Sequence, residues 1–240
     1  TVLDTGALDG VAAIFGIHAR PIYPVGTLGL CTGGMMASVD KFEIVFHGTG
    51  THAAQPDRGC DPIVMAAQFV TAAQSIVARN VSPLRPGVVS VTHIDAGTTW
   101  NVLPERAWME GTIRLFDADD RALVKERVEA LANGIAAGFG GRAEIAWTAG
   151  PPAVVNTERW NDLARDAAAQ EGFAVVDAVP WMAGEDFAYY QESMESCFAF
   201  VGTGLAPENH HPKFVVDPAA IPMTARYLAW MAEEALKKLK

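Results

Sequence analysis

The 240-residue sequence has few cysteines and no pairing pattern among them. Cys31, Cys60 and Cys197 are widely spaced, contain no CxxC pair and are odd in number, which argues against a disulfide framework. We therefore expect free thiols, as in a reducing cytoplasmic compartment.

Basic residues and long apolar runs are also scarce. The 18 Lys and Arg are outnumbered by 28 Asp and Glu, and the net charge of −10 argues against nucleic acid or an anionic membrane as partner. No apolar run approaches the roughly 20 residues that cross a bilayer. The N-terminus shows no signal-peptide pattern, and its lack of an initiator Met suggests a chain cut from something longer.

Two histidines at opposite ends of the chain are candidates for metal chemistry. His18 ends an apolar run, and His210 precedes His211 and Pro212. Neutral imidazole binds Zn²⁺, Mn²⁺ and related ions, and a catalytic site usually takes three or more protein ligands. The pair therefore predicts part of a metal site rather than a complete one.

The middle of the chain predicts the element order β-α-β-β-α-β, which is typical of a ferredoxin-like unit. Residues 41–48 alternate polar and apolar side chains, as in a half-buried strand. Asp61 and Pro62 favour a helix start, with the helix running to about Arg79. The remaining predicted elements are strands over 88–94, 107–116 and 142–148, and a second helix after the acidic residues 117–120.

The segments on either side of this unit are predicted to form one interrupted domain. The predicted limits are 1–39 and 150–240 for that domain and 40–149 for the insert. Its predicted elements are a strand ending at His18, a Gly/Met-rich crossover over 32–37, a helix over 159–170, strands over 174–179 and 197–202, and a helix over 222–240.

Six motifs occur in a fixed order along the chain. They are GIHARP at His18, HAAQP at His52, WNVLP at Asn101, GTIR at Arg114, GEDF at Glu185 and HHP at His210. This order resembles the metal-dependent N-acyl-amino-acid amidohydrolases, which include aminoacylases, carboxypeptidases, hippurate hydrolases and auxin-conjugate hydrolases. The resemblance covers essentially the whole chain. It implies an α/β fold: part of a two-metal peptidase-type catalytic domain interrupted by a ferredoxin-like βαββαβ dimerisation (lid) domain.

The same resemblance implies a metal site in the flanking domain. It makes His18 and His210 ligands in a site of two divalent ions, Zn or Mn, with Ni or Co as alternatives. Glu185 and Asp186 are paired carboxylates, and one of them acting as general acid or base is one interpretation. The favoured interpretation is that Glu185 orients a ligand.

Three further residues receive roles in the inserted domain from the resemblance. His52 would reach the active site of a partner subunit and stabilise an oxyanion, which implies a homodimer. Asn101 and Arg114 would hold the carboxylate of a small N-acyl amino acid. The structural alternatives are a turn histidine that caps backbone groups, a turn asparagine, and a strand arginine paired with a surface acid. Four tryptophans are favoured as core over an acyl-pocket role: Trp100, Trp147, Trp160 and Trp181.

The sequence departs from the family pattern in two places. Asp57 stands where the HAAxPH motif has its second histidine, and residues 1–17 match neither the Cys/His motif nor the paired-glutamate motif that supplies the general base. Two interpretations remain open. The chain is either the C-terminal two-thirds of an amidohydrolase, inactive alone, or a non-catalytic remnant or dimerisation module.

Overall fold

The computed structural model describes residues 2–239, which divide into two compact units. Unit 1 contains residues 2–36, 154–181 and 185–239, and unit 2 contains residues 37–153 and 182–184.

The strands are β1 Ala13–Arg20, β2 Thr27–Leu30, β3 Gly33–Met36, β4 Asp40–His47, β5 Thr51–His52, β6 Gly87–Ala96, β7 Val102–Leu103, β8 Arg106–Leu115, β9 Arg142–Ala149, β10 Val154–Asn156, β11 Ala174–Asp177 and β12 Glu195–Gly202. The α-helices are α1 Pro62–Asn80, α2 Ala118–Gly138, α3 Glu158–Gln170 and α4 Ala220–Lys238, and the 3-10 helices are Leu3–Thr5, Pro56–Arg58 and Asp186–Glu192. Within residues 2–239, no helix has both the length and the apolar character that crossing a membrane requires.

Unit 2 is an antiparallel sheet with two helices packed on one face. Its strand order is β6-β8-β4-β9, and α1 and α2 share one apolar core with the sheet. The sequence of elements, β4-α1-β6-β8-α2-β9, confirms the predicted ferredoxin-like α/β unit. Strands β5 and β7 form a separate two-stranded ladder that the sequence did not predict. Each has only two residues, which is too short to show an alternating pattern.

The core of unit 2 follows from the alternation along β4. Phe42, Ile44 and Phe46 are fully buried beneath the helices. The residues between them lie on the opposite face of the sheet, which α1 and α2 do not cover and which is called the open face below. The α1 residue Phe69 contacts the rings of both phenylalanines. The predicted start of α1 is confirmed, because the Asp61 carboxylate accepts a hydrogen bond from the Ile63 amide at 2.9 Å.

Unit 1 contains a mixed sheet with strand order β1-β12-β2-β11. Strand β1 is parallel to β12, β12 is antiparallel to β2, and β2 is parallel to β11. Helices α3 and α4 pack on one face, and their largest buried side chains are Trp160 and Tyr227. The opposite face carries His18, because Ala13, Phe15 and Ile17 point toward the helices and the side chains alternate.

Two predicted elements of unit 1 differ from the structure. Within the segment predicted as a Gly/Met-rich crossover over 32–37, residues 33–36 form β3 and pair with β10. The pairing depends on a strand more than one hundred residues away, which a local pattern does not reveal. The last helix begins at Ala220 rather than at Pro222, since proline is tolerated anywhere in the first turn. Its predicted end at residue 240 lies outside the described residues.

The expectation of free thiols is confirmed for all three cysteines. Cys197 is buried in unit 1, and burial raises the pKa of its thiol to about 12. This thiol is therefore protonated and weakly reactive at neutral pH.

Candidate active site

His18 is held in one tautomer by the backbone at the end of β1. Its Nδ1 lies 2.8 Å from the Ala19 carbonyl oxygen. A carbonyl can only accept, so Nδ1 carries the proton and donates it. The neutral ring therefore presents a lone pair at Nε2, which is the form that binds a metal ion.

Glu185 faces that free nitrogen. Its Oε2 lies 3.9 Å from His18 Nε2, and both side chains are partly buried. Glu185 also caps the 3-10 helix Asp186–Glu192 by accepting from the Phe187 amide at 3.3 Å. Burial, followed by the hydrogen bond with Asp186, raises the pKa of Glu185. Imidazole nitrogen and carboxylate oxygen together suit Zn²⁺ or Mn²⁺, so these two groups fit part of a ligand set.

Gly16 allows the 3-10 helix to approach β1 closely. A Cβ at this position would lie 2.7 Å from the Phe187 ring and 2.8 Å from the Phe198 ring. We expect Gly16→Ala to lower the free energy of unfolding of unit 1 by about 1–3 kcal/mol, because the rings must shift. Urea denaturation combined with hydrogen exchange of peptides from unit 1 measures this.

Gly134→Ala is the control for that substitution. Gly134 lies inside α2, and its added Cβ would have no heavy atom within 4 Å. Alanine there should raise the free energy of unfolding of unit 2 by about 0.5–1 kcal/mol. Equal effects of the two substitutions would contradict the assigned crowding at Gly16.

Two aromatic side chains contact the His18 ring. Trp181 and Phe200 contact it edge-on, with centroid distances of 5.8 and 6.4 Å. The Arg20 guanidinium lies 4.1 Å from the centroid of the Trp181 ring. Arg20 was not predicted as a site residue, although its position two residues after His18 places it on the same face of β1.

His210 lies in the segment between β12 and α4. It is exposed and is the one non-glycine residue among residues 2–239 with positive φ, at 68°. Its neighbour Asn209 donates from Nδ2 to the Ala19 carbonyl oxygen at 3.2 Å, so this segment contacts the end of β1 beside His18. Within residues 2–239, no three His, Cys, Asp or Glu side chains are grouped closely enough to hold a metal ion.

His52 is held in the opposite tautomer from His18. Its Nδ1 lies 3.0 Å from the Ala54 amide nitrogen. A backbone amide can only donate, so the proton of the neutral ring is on Nε2. The histidine does cap a backbone group in its turn, and this cap leaves an exposed side chain with an N–H donor.

Asn101 lies beside His52 in unit 2. Its carbonyl oxygen accepts from the Ala53 amide at 3.0 Å, and the β5–β7 ladder pairs His52 with Val102. The asparagine is in a turn, and its side chain hydrogen-bonds to Thr99 at 3.1 Å. The short ladder thus brings two of the predicted site residues together.

Arg114 lies on the open face of the unit 2 sheet. Ile113 and Leu115 on either side of it are buried in the core. Burial lowers the pKa of the Arg114 guanidinium, which stays charged at neutral pH. No described residue forms a hydrogen bond or ion pair with it, so the alternative of an arginine paired with a surface acid is wrong for the described part of the chain.

The four tryptophans have different environments. Trp160 is fully buried, as predicted, and Trp147 packs against the core of unit 2. Trp100 is 91% exposed, so its prediction as a core residue is wrong. It lies in the turn before β7, where no element of unit 2 covers it. Trp181 is partly exposed and lies beside His18 rather than in the core.

A family model and several known proteins match almost the whole chain. Residues 2–234 match the model of Peptidase family M20/M25/M40. The chain belongs to this family. An N-acetylcysteine deacetylase of Bacillus subtilis is 45% identical over 239 residues, covering 100% of this chain and 63% of that protein. An N-acetyldiaminopimelate deacetylase of Brevibacillus brevis is 32% identical over 229 residues, covering 92% of this chain and 60% of that protein.

A solved structure of the same family agrees in fold. It is the crystal structure of a dinuclear metal binding peptidase of the M20 family from Bacillus subtilis, with a TM-score of 0.85 and 41% identity. The match covers 98% of this chain and 60% of that protein. The chain therefore spans less than two thirds of the length of these M20 relatives. Membership of the family confirms the resemblance drawn from the six motifs.

Proposed function

We propose that the protein to which this chain contributes hydrolyses the amide bond of N-acyl amino acids with the help of divalent metal ions. The observation that carries the proposal is the pair of opposite histidine tautomers. The backbone holds His18 with a lone pair at Nε2 and His52 with a proton at Nε2. The first form suits a metal ligand, and the second suits a donor to an oxyanion.

The substrate class follows from the cation on the open face of unit 2. Arg114 is charged, partly buried and without a partner among residues 2–239, so a substrate carboxylate would satisfy it. Asn101 would add a second contact to the same carboxylate. Two relatives are named as deacetylases of N-acetylated amino acids, which supports acetyl as one of the acyl groups accepted.

The roles of the residues in the reaction follow from their chemistry. His18 and His210 would hold divalent metal, two ions in the complete site, Zn or Mn with Ni or Co as alternatives. When bound, such ions polarise a carbonyl and lower the pKa of a water molecule. His52 would donate its Nε2 proton in a hydrogen bond to the amide oxygen as charge develops there. Glu185 would orient a metal ligand of the complete site. The products would be a carboxylic acid and an amino acid, formed in the cytoplasm.

We also propose that unit 2 acts as the lid and forms a homodimer. Exposed apolar side chains near the β5–β7 ladder support this: Ile94, Trp100 and Val102 are all exposed.

Light scattering at tens of micromolar protein should give the mass of a dimer. Ile94→Lys should shift the chain toward monomer, whereas Leu84→Lys, at another exposed position of unit 2, should not. A monomer for the unaltered chain would contradict the proposal.

A non-catalytic remnant or dimerisation module is the second candidate. The observation that favours it is the lack of a three-residue ligand group among residues 2–239. Both candidates require the same fold for unit 2, so metal content and turnover distinguish them.

The test compares the 240-residue chain with the product of its complete gene. Each is supplied with Zn²⁺ or Mn²⁺ and assayed on N-acetyl-L-cysteine, other N-acetyl amino acids and hippurate. We expect weak metal binding and no turnover for the 240-residue chain, and turnover for the gene product. Tight binding of two metal ions together with turnover by the 240-residue chain would contradict the proposal that its metal site is incomplete. No turnover by a metal-loaded gene product on any of these substrates would favour the second candidate.

A further inference from the structure

One backbone carbonyl in unit 1 accepts two side-chain hydrogen bonds. The Ala19 oxygen lies 2.8 Å from His18 Nδ1 and 3.2 Å from Asn209 Nδ2. His18 precedes Ala19 in the chain, and Asn209 precedes His210. The same oxygen thus fixes the ring of one proposed ligand and the residue next to the other.

We propose that Asn209 is a positioning residue that holds His210 in register with His18 through the Ala19 carbonyl. The inference rests on the proposed function, in which both histidines bind metal. Asn209 itself binds neither metal nor substrate in this proposal. It acts by fixing the backbone from which the His210 side chain projects.

The backbone at His210 needs such a constraint. Its φ of 68° is uncommon for residues other than glycine, although asparagine, aspartate and histidine adopt it more often than the rest. A left-handed non-glycine residue costs on the order of 1–3 kcal/mol and persists only when the surrounding structure imposes it. The hydrogen bond of Asn209 lies one residue from this position.

Two further contacts attach the same segment to the end of β1. Glu208 accepts from the Arg20 guanidinium at 3.1 Å, and the Ala206 amide donates to the Pro21 carbonyl at 3.3 Å. The ion pair alone is weak because Glu208 is exposed. Asn209 is partly buried and supplies the third contact of this set.

The orientation of the Asn209 amide is fixed by its partner. The Ala19 carbonyl can only accept, so Nδ2 faces it. Oδ1 is consequently buried without a partner among the described residues. An unpaired buried oxygen costs free energy, so the bond from Nδ2 to Ala19 is kept at the expense of Oδ1.

Three variants of the 240-residue chain test the proposal. Asn209→Ala removes the donor, and Asn209→Asp keeps the shape of the side chain but replaces the N–H donor with an acceptor. The matched control is Asn161→Ala in α3. Asn161 is buried, donates one hydrogen bond at 2.9 Å to Thr32 and, like Asn209, leaves its Oδ1 unpaired.

The first measurement needs no metal. NMR of the ¹⁵N-labelled chain reports the backbone amide of His210 and the ring nitrogens of His18. We expect the His210 amide to broaden or split in both Asn209 variants and to stay single in Asn161→Ala. His18 should keep its proton on Nδ1 in all three. An unchanged His210 signal in both Asn209 variants would overturn the proposal.

The second measurement is Zn²⁺ binding by calorimetry. Loss of a residue that orients a metal ligand typically weakens affinity about 10–100-fold, and we expect at least about tenfold for both Asn209 variants. Asn161→Ala should bind Zn²⁺ like the unaltered chain, and an equal loss there would overturn the proposal. If the unaltered chain binds no Zn²⁺, the metal-ligand part of the proposed function fails for this chain, and the NMR comparison alone decides the role of Asn209.

Discussion

His52→Ala should lower the kcat of the complete gene product by on the order of 10²-fold or more, which is the usual effect of losing one oxyanion donor. The KM should change little, because the hydrogen bond strengthens as charge develops on the amide oxygen. Steady-state kinetics on an N-acetyl amino acid measures both constants. His93→Ala is the control, since His93 lies on the open face of unit 2 beside Trp108 and Glu110 and has no proposed role.

Mixing two inactive variants tests whether His52 acts in the partner's site. A dimer of one His52→Ala and one His18→Ala subunit would contain one site with both substitutions and one with neither. Random mixing should then restore about a quarter of the unaltered activity, because half of the dimers are mixed and each has one intact site. If His52 acts within its own subunit, mixing restores nothing. Near-normal turnover of the His52→Ala variant would contradict the assignment of His52 as an oxyanion donor.

Asp40→Ala should lower the free energy of unfolding of unit 2 by about 3 kcal/mol, since it removes a fully buried carboxylate that accepts two charge-assisted hydrogen bonds from the partly buried Arg121. Asp40 is fully buried and accepts from Arg121 Nε at 2.6 Å and Nη2 at 2.8 Å. Arg121 Nη2 also donates to the Gly150 carbonyl at 3.1 Å. The arginine therefore joins the first residue of β4 to the residue that follows β9.

Urea denaturation, with hydrogen exchange of the peptides that contain β4 and β9, measures this loss. The control is Glu144→Ala in the same unit. Glu144 pairs with His47 at 3.2 Å and with Arg142 at 3.6 Å, but its side chain is 67% exposed. Such surface pairs contribute about 0–1 kcal/mol. A loss at Asp40 no larger than at Glu144 would show that the buried pair contributes little to stability.

The sequence predicted the elements whose patterns are long and local. Helix α1 shows this, with its Asp61 cap and the apolar positions that follow, as does β4 with its alternating side chains. Strands β2, β3, β5, β7 and β10 were not predicted, because short strands are defined by their pairing partners rather than by their own residues. The exposed position of Trp100 was also not predicted, because exposure depends on what covers a turn.

For the candidate site, the sequence determined which residues are available, and the ordered motifs gave them roles through family resemblance. His18, His52, Asn101, Arg114, Glu185 and His210 could all be named from it. The local backbone conformation, which the residue types do not specify, decided which ring nitrogen of His18 and of His52 carries the proton of the neutral ring. The tertiary structure decided that Arg114 lacks an acidic partner among residues 2–239, and that the Ala19 carbonyl links His18 to Asn209. These last properties depend on contacts between residues far apart in the chain, and a sequence pattern does not record such contacts.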